Sequence, residues 1–161
     1  MYEYVGLANH RLYFETVARL LKPGGIFLNQ GIVSGNPDAH VKGPPGGEFI
    51  DRHVFPGGEL LHVSGLLRAV ASSGLEPVDL EDLRPHYAQT LLLWSQRLEA
   101  HAGSAVRHAG PERFRIWRVY LPAMAHAFNQ GWLSVVQVIA NKPLNAGMAP
   151  RPWTREYQYP D

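Results

Sequence analysis

The eight histidines of this 161-residue chain are the side chains best suited to metal or acid–base chemistry. They are scattered along the sequence, and His53 and His62 have no third partner at the spacing of a metal site. The chain has no cysteine, which excludes disulfides, thiolate metal ligands and a cysteine nucleophile. We therefore predict that the protein holds no metal ion. The histidines are His10, His40, His53, His62, His86, His101, His108 and His126.

Serine and glycine patterns argue against two further classes of enzyme. Ser64, Ser95 and Ser104 lack the Gly-x-Ser-x-Gly context of a hydrolase nucleophile. The glycines within 43–47 follow Lys42, whereas the lysine of a P-loop comes after its glycines. The formal net charge of +1 gives no overall basic balance, so we expect no nucleic-acid partner.

Hydrophobic periodicity predicts alternating helices and strands, which is typical of a layered α/β fold. In chain order the predicted elements are a helix over 9–21, a strand over 26–33, a loop over 34–47, a short ordered segment over 48–55, a helix over 59–73, a weak strand over 75–80, two long helices, and the best strand over 131–141. Asn9 is a candidate N-cap of the first helix, and Gly74 a candidate C′ residue of the second. Three strands are few for such a sheet, so we expect exposed edges, exposed apolar faces and self-association.

Each predicted helix carries an apolar stripe, for which core packing is the ordinary interpretation. The stripes contain Tyr13, Val17, Leu20 and Leu21 in the first helix; Leu60, Val63, Leu67, Val70 and Ala71 in the second; Tyr87, Leu91, Trp94, Leu98 and His101 in the first long helix; and Phe114, Trp117, Leu121, Met124 and Phe128 in the last. No run approaches the roughly eighteen apolar residues of a membrane span, and residues 1–6 do not resemble a signal peptide. We expect a cytoplasmic protein with, at most, peripheral contact at the inner face of a membrane.

Three segments carry a resemblance to a known family. The first is Met-Tyr-Glu-Tyr-Val-Gly at 1–6, followed by a helix and Leu-Leu-Lys-Pro-Gly-Gly at 20–25. The second is Phe-Ile-Asp-Arg at 49–52, with Phe-Pro-Gly-Gly-Glu-Leu at 55–60. The third is Leu-Arg-Pro-His-Tyr-Ala-Gln-Thr-Leu at 83–91, continued by aromatic and basic residues through Phe128. Together, residues 1–142 resemble the cyclopropane-fatty-acyl-phospholipid synthases and mycolic-acid methyltransferases, whereas 143–161 form an irregular proline-rich tail.

The resemblance implies the C-terminal part of a Rossmann-like class I methyltransferase sheet, namely strands 5 to 7, with an inserted pair of long helices. It further implies transfer of a methyl group from S-adenosylmethionine to an unsaturated acyl chain of a phospholipid, with bicarbonate bound beside the acceptor. The family binds its cofactor with a glycine-rich turn after the first strand and an acid after the second. Neither occurs here, so we expect the N-terminal cofactor-binding half to be absent and the isolated chain to be inactive.

Site residues follow from the resemblance position by position. Glu3 corresponds to a bicarbonate-binding glutamate, Tyr87 to a tyrosine of the same site, and Ile32 to a residue whose backbone amide contacts the ion. Taken alone, Glu3 would be an exposed acid and Tyr87 a core aromatic. The family's histidine is replaced by Gln30, which cannot carry a proton at neutral pH. Trp94, Trp117 and Phe128 are the candidates for the acceptor pocket.

Two alternatives stay open. Because Gln30 departs from the family, the product could be a cyclopropane, a methyl or a methylene derivative, or the acceptor could be a small molecule other than a lipid. The chain could also be an inert fragment, or an interaction module that requires the missing half.

Overall fold

Three strands form one antiparallel sheet in which the last strand of the chain lies between the two earlier ones. The computed structural model describes residues 3, 5–38, 47–145, 147–148 and 151–156. Strand β1 (Ile26–Ser34) and strand β2 (Glu76–Asp82) both pair with β3 (Leu133–Asn141), in the order β1-β3-β2. The strand with the strongest β-propensity therefore takes the position where both edges are hydrogen-bonded.

Helices α1 (His10–Leu20) and α3 (Val63–Ser72) form the layer behind the sheet. Phe14 and Leu66 are fully buried there against the valines of β1 and β3. The buried face of α1 differs from the predicted apolar stripe. Phe14, which was not in the stripe, is the most buried residue of the helix, whereas Leu20, which was, is 77% exposed.

The helix starts differ from the sequence prediction. The side chain of Asn9 does not cap α1: its Nδ2 donates to the carbonyl of Val5, and a 3-10 turn over Leu7–Asn9 leads into the helix. Helix α3 begins four residues later than predicted, because the His62 side chain accepts a hydrogen bond from the Ser64 amide and caps it. The predicted C′ glycine, Gly74, has a φ of 84°, as that position requires.

Two long helices, α4 (Arg84–Ala100) and α5 (Ala102–Asn129), pair with each other in front of the sheet. Short helix α2 (Gly47–His53) contributes Phe49 and Ile50 to the same core. Helix α5 is interrupted before the predicted apolar stripe that begins at Phe114. Gly110, with φ 81° and ψ 160°, breaks it before Pro111, because that conformation suits glycine and a proline cannot donate the next helical hydrogen bond.

The outer edges of the sheet differ in how they are covered. In the described part of the chain β1 has no strand partner beyond β3, and its front-facing Ile26 and Leu28 are 62% and 50% exposed. This exposure supports self-association, which stays a prediction. At β2, Arg155 of the tail pairs with Asp79 at 2.7 Å, and Arg151 pairs with Glu76.

Some expectations concern absences or lie outside the described residues. Most of the predicted loop over 34–47 falls within 39–46, which the structure does not describe. In the described ranges no helix has both the length and the apolar composition needed to cross a membrane. The same ranges contain no group of three side chains able to hold a metal ion.

The close approach of two glycine turns gives a first prediction. A Cβ on Gly35 would lie 1.9 Å from the carbonyl oxygen of Gly131, and backbone cannot move aside as a flexible side chain would. Gly35→Ala should therefore lower the free energy of unfolding by about 2 kcal/mol or more in urea denaturation. Gly47→Ala is the control, because a Cβ there meets nothing within 4 Å. Equal stability of the two variants would contradict the described packing.

Candidate active site

Glu3 is held against the last third of β1. Its Oε1 accepts a hydrogen bond of 2.7 Å from the backbone amide of Ile32. The Glu3 carbonyl also accepts from the amide of Glu59, at 3.3 Å, while Glu59 Oε2 accepts from the amide of Leu7, at 2.7 Å. The segment before α1 is thereby tied both to β1 and to the loop that precedes α3, which fixes the position of the Glu3 carboxylate.

Two tyrosines lie within the electrostatic field of Glu3. Burial raises the pKa of Tyr87 above its usual value of 10.0, and the negative charge of Glu3 raises it further. The same two causes, in the same order, raise the pKa of Tyr13. Both phenols therefore keep their protons well above neutral pH and remain potential hydrogen-bond donors.

Packing from the two helical layers positions these phenols. The ring of Tyr87, on α4, meets Phe128 edge-to-face with a centroid distance of 5.1 Å. Tyr13, on α1, donates its hydroxyl hydrogen to Oδ1 of the buried Asn29, at 3.4 Å. Asn29 lies in the buried, back-facing row of β1, so the back layer also contributes a polar contact next to the site.

Gln30 lies on the front face of β1, two residues before Ile32. Its partner in the sheet register is Gln137 of β3, whose Nε2 donates to Gln30 Oε1 at 2.7 Å. The Gln30 side chain is exposed and directed across the sheet by this bond. The structure thus brings Glu3, Ile32 and Tyr87 together, and places Gln30 on the same strand with its carbonyl oxygen already engaged.

The donors present here fit bicarbonate poorly. The Ile32 amide, expected to contact that ion, donates to Glu3 instead, and Gln30 is held by Gln137. A second anion beside the Glu3 carboxylate would also be repelled unless one of the two were protonated.

The cofactor-binding features that the resemblance implies are also not found at the described strand ends. Strand β2 passes into α4 through the single residue Leu83, with Pro85 in the first turn. Strand β1 ends at Ser34 before a bend at Gly35, and β3 runs into the tail. Within the described residues, no helix follows one of these strand ends through a glycine-rich turn of the kind that lets backbone amides approach a nucleoside ligand; the glycines at 43 and 46, before α2, lie outside the described residues. The described residues therefore do not themselves form a cradle for S-adenosylmethionine.

Two of the three predicted pocket residues line one open cleft of about 410 Å³ between α4 and α5. Trp94 and Trp117 face it, together with Leu98 and several polar side chains. Phe128 is not among its lining residues: it is 1% exposed and packs in the core beside Tyr87. Trp94, by contrast, is 45% exposed, more than its position in the predicted core stripe implied.

Sequence reasoning missed three residues of this region. Tyr13 was assigned to core packing, and neither Asn29 nor Gln137 was singled out. The sequence did offer one signal, namely a polar residue within an otherwise apolar strand. Asparagine at 29 lies in the buried row of β1, and glutamine at 137 interrupts the valines of β3. Only the strand register pairs Gln137 with Gln30.

Comparison with solved structures identifies the fold. The fold is that of class I S-adenosylmethionine-dependent methyltransferases and matches about half of their length. The cyclopropane synthase MmaA2 from Mycobacterium tuberculosis superposes with a TM-score of 0.80 at 26% identity, over 87% of this chain and 52% of that one. Mycolic acid cyclopropane synthase CmaA1, complexed with SAH and CTAB, gives 0.79 at 30% identity over the same shares.

Sequence comparison specifies the family. The family model described as mycolic acid cyclopropane synthetase matches residues 1–138, so the chain belongs to that family. A probable fatty acid methyltransferase of Pseudomonas putida is 43% identical over 99% of this chain but only 40% of its own length. The chain thus spans about half, or less, of the relatives it matches. The predicted family and fold class are confirmed.

The shared influence of Glu3 on both tyrosines gives a second prediction. Glu3→Gln removes the negative charge, so the pKa values of Tyr13 and Tyr87 should both fall, yet stay above 10.0 because burial, the larger cause, remains. NMR titration of ¹³C-labelled tyrosine, assigned with Tyr13→Phe and Tyr87→Phe, measures both values. Glu112→Gln on the exposed surface of α5 is the matched control. If Glu3→Gln left the pKa of Tyr87 unchanged, the Glu3 carboxylate would not lie close enough to Tyr87 to act on it.

Proposed function

We propose that this chain is the acceptor-side part of a methyltransferase that transfers a methyl group from S-adenosylmethionine to an unsaturated acyl chain of a phospholipid. The observation that carries the proposal is the Glu3 carboxylate on the Ile32 amide, near the Tyr87 phenol, in a chain of this family. The names of the relatives support a lipid acceptor: a probable fatty acid methyltransferase, and a synthase whose structure holds SAH and CTAB. Peripheral contact with the inner face of a membrane, in the cytoplasm, belongs to the same proposal.

The proposed chemistry requires an acidic side chain beside the reacting alkene. S-adenosylmethionine, held by residues outside the described part of the chain, would supply an electrophilic methyl group. When the alkene electron pair forms the new carbon–carbon bond, the bond between the methyl group and sulfur would break with its electron pair left on sulfur, and the neighbouring carbon of the acyl chain would become positive. Glu3 stabilises that charge by Coulomb attraction, which is strong where water is excluded. The protonated phenol of Tyr87, whose pKa the Glu3 charge raises, would be available there as a hydrogen-bond donor.

The fate of the positive charge depends on which proton is then lost. If the added methyl group loses a proton, the electrons of its C–H bond close a cyclopropane ring. If a neighbouring chain carbon loses one, a methyl-branched alkene forms. If a hydride first shifts from the methyl-bearing carbon to the positive carbon, loss of a proton from the methyl group gives a methylene chain. Glu3 is the proposed proton acceptor in each case, and the need for bicarbonate is correspondingly weaker than in relatives with a histidine at position 30. Because Gln30 cannot relay a proton, we propose products shifted from cyclopropane toward methylated or methylene chains.

A single substitution tests the role of position 30. Gln30→His in the full-length protein should raise the fraction of cyclopropane product, because imidazole can share the proton near the cation. Mass spectrometry and NMR of lipids from expressing cells measure that fraction. Gln130→His, at the exposed end of α5, is the matched control. Exclusive cyclopropane formation by the unmodified enzyme, unaltered by Gln30→His, would show that position 30 does not direct the products.

Removing the carboxylate tests the site itself. Glu3→Gln should lower turnover by about 100-fold or more, the usual effect of losing a positioned acid–base group. Glu112→Gln should leave turnover unchanged. The assay follows methyl incorporation into phospholipid by the full-length protein, with and without added bicarbonate. Full activity of the Glu3→Gln variant would refute the assignment of Glu3.

The isolated chain is expected to be inactive, since its described residues form no cofactor cradle. Calorimetry should detect no micromolar binding of S-adenosylmethionine by the 161-residue chain, whereas the full-length protein should bind it. Micromolar affinity of the chain alone would show that residues assigned here to the acceptor side also hold the cofactor.

A further inference from the structure

The cleft between α4 and α5 lies beside the break of α5 at Gly110. Its walls come from three helical segments: the second half of α4, the part of α5 before the break, and the part after it. Trp94 and Leu98 contribute from α4, and Trp117 from beyond the break. The floor is apolar, and the opening faces solvent at the end of the helix pair most distant from Arg84 and Asn129. We call residues 96–119 the hairpin tip.

Polar side chains surround this apolar floor. Arg97, His101 and His108 line the cleft along with the tryptophans. Nδ1 of His101 lies 2.9 Å from the Arg97 carbonyl, and Nδ1 of His108 lies 2.8 Å from the Ser104 carbonyl. Because a carbonyl only accepts, both Nδ1 atoms carry hydrogen and both Nε2 atoms remain for contact with a ligand.

Charge is concentrated at the hairpin tip. Residues 96–119 contain five arginines and two glutamates, a net charge of +3, whereas the whole chain is +1, so the remaining residues sum to −2. Arg118 pairs with Glu99 at 2.6 Å. In the described part of the chain the other four make no ion pair, so their charge is available to a partner. These four are Arg97, Arg107, Arg113 and Arg115.

Large apolar side chains are exposed beside these arginines. Leu92, Leu93 and Trp94, in the half of α4 that leads to the tip, are each 40% exposed or more, and Val119 is 57% exposed. Exposed tryptophan and leucine beside arginine are typical of surfaces that lie in the interfacial layer of a membrane. The hairpin tip of a second copy would present the same positive charge and be repelled, and a nucleic acid would leave the leucines without apolar contacts.

We propose that the hairpin tip docks onto the surface of an anionic phospholipid bilayer, with its arginines at the phosphates and Trp94 inserted among the upper acyl carbons. The cleft then binds one end of a single lipid molecule from the bilayer. Trp94 lies seven residues from Tyr87 on α4, about 10 Å along the helix axis, so docking brings lipid to the layer of the protein that contains the candidate site. This inference deepens the proposed function, yet docking is a binding event that can be measured without turnover.

Vesicle flotation of the 161-residue chain tests the charge requirement, and it separates bound protein from aggregates because aggregates do not float. The chain should float with equimolar phosphatidylcholine and phosphatidylglycerol, and not with phosphatidylcholine alone. Arg97→Gln combined with Arg107→Gln should weaken binding by about 25-fold, since each arginine near an anionic surface contributes about fivefold. Arg19→Gln combined with Arg68→Gln, on exposed positions of α1 and α3, is the matched control. Equal flotation with neutral vesicles, or equal loss in both double variants, would overturn the proposal.

Fluorescence quenching by lipids brominated near the headgroup tests the orientation. Quenching of the bound chain should be largely lost in Trp94→Phe and retained in Trp153→Phe, which removes the fully exposed tryptophan of the tail. Loss in Trp153→Phe instead would assign membrane contact to the tail. Displacement by inorganic phosphate or by duplex DNA at equal ionic strength would identify a soluble anion as the ligand and overturn docking onto a bilayer. Because neither assay measures methyl transfer, a negative result here leaves the proposed reaction standing, and inactivity of the enzyme leaves the docking result standing.

Discussion

The pairing of β3 with both of its neighbours is the constraint on which the structure depends. In the described part of the chain β1 and β2 have no hydrogen bonds to each other, so they belong to one sheet only because β3 lies between them. This arrangement buries the valines of β3 on both faces, and apolar burial is the main favourable term in folding. The back helices and the front helix pair each pack against a face that exists only once β3 is in place.

The geometry of the candidate site depends on the same strand, β3. The Leu83 amide donates to the Val135 carbonyl at 2.8 Å, which fixes the start of α4 on β3. Asp82 then accepts from Ser134 and from the Arg84 amide, each at 2.7 Å. Tyr87, one turn further along α4, is therefore positioned by strand register, whereas Glu3 reaches the site through the amide of β1. The charge of Glu3 acts on Tyr87 because β3 sets the distance between β1, which binds Glu3, and the start of α4.

The sequence predicted an element correctly where the signal for it came from residues close together in the chain. Valine-rich β3 and the stop of α3 at Gly74 follow from propensity and turn chemistry, and the family motifs indicated Glu3 and Tyr87. The cap of α3 was not predictable, because histidine is an uncommon N-cap and its role depends on the Ser64 amide. The contact between Gln30 and Gln137 joins residues 107 apart, which no local pattern encodes.

The position of β3 in the chain also determines the order of events during translation. Ser34 ends β1, and about 100 residues must be synthesised before Leu133 begins its partner. At ribosomal speeds of about 5–20 residues per second, the edge of β1 that pairs with β3 waits for about 5–20 s without its partner. Loop closure over such a distance is slow, and unpaired strands are sites of aggregation. The exposure of this edge during the interval follows from topology, and stronger packing elsewhere in the fold would not shorten it.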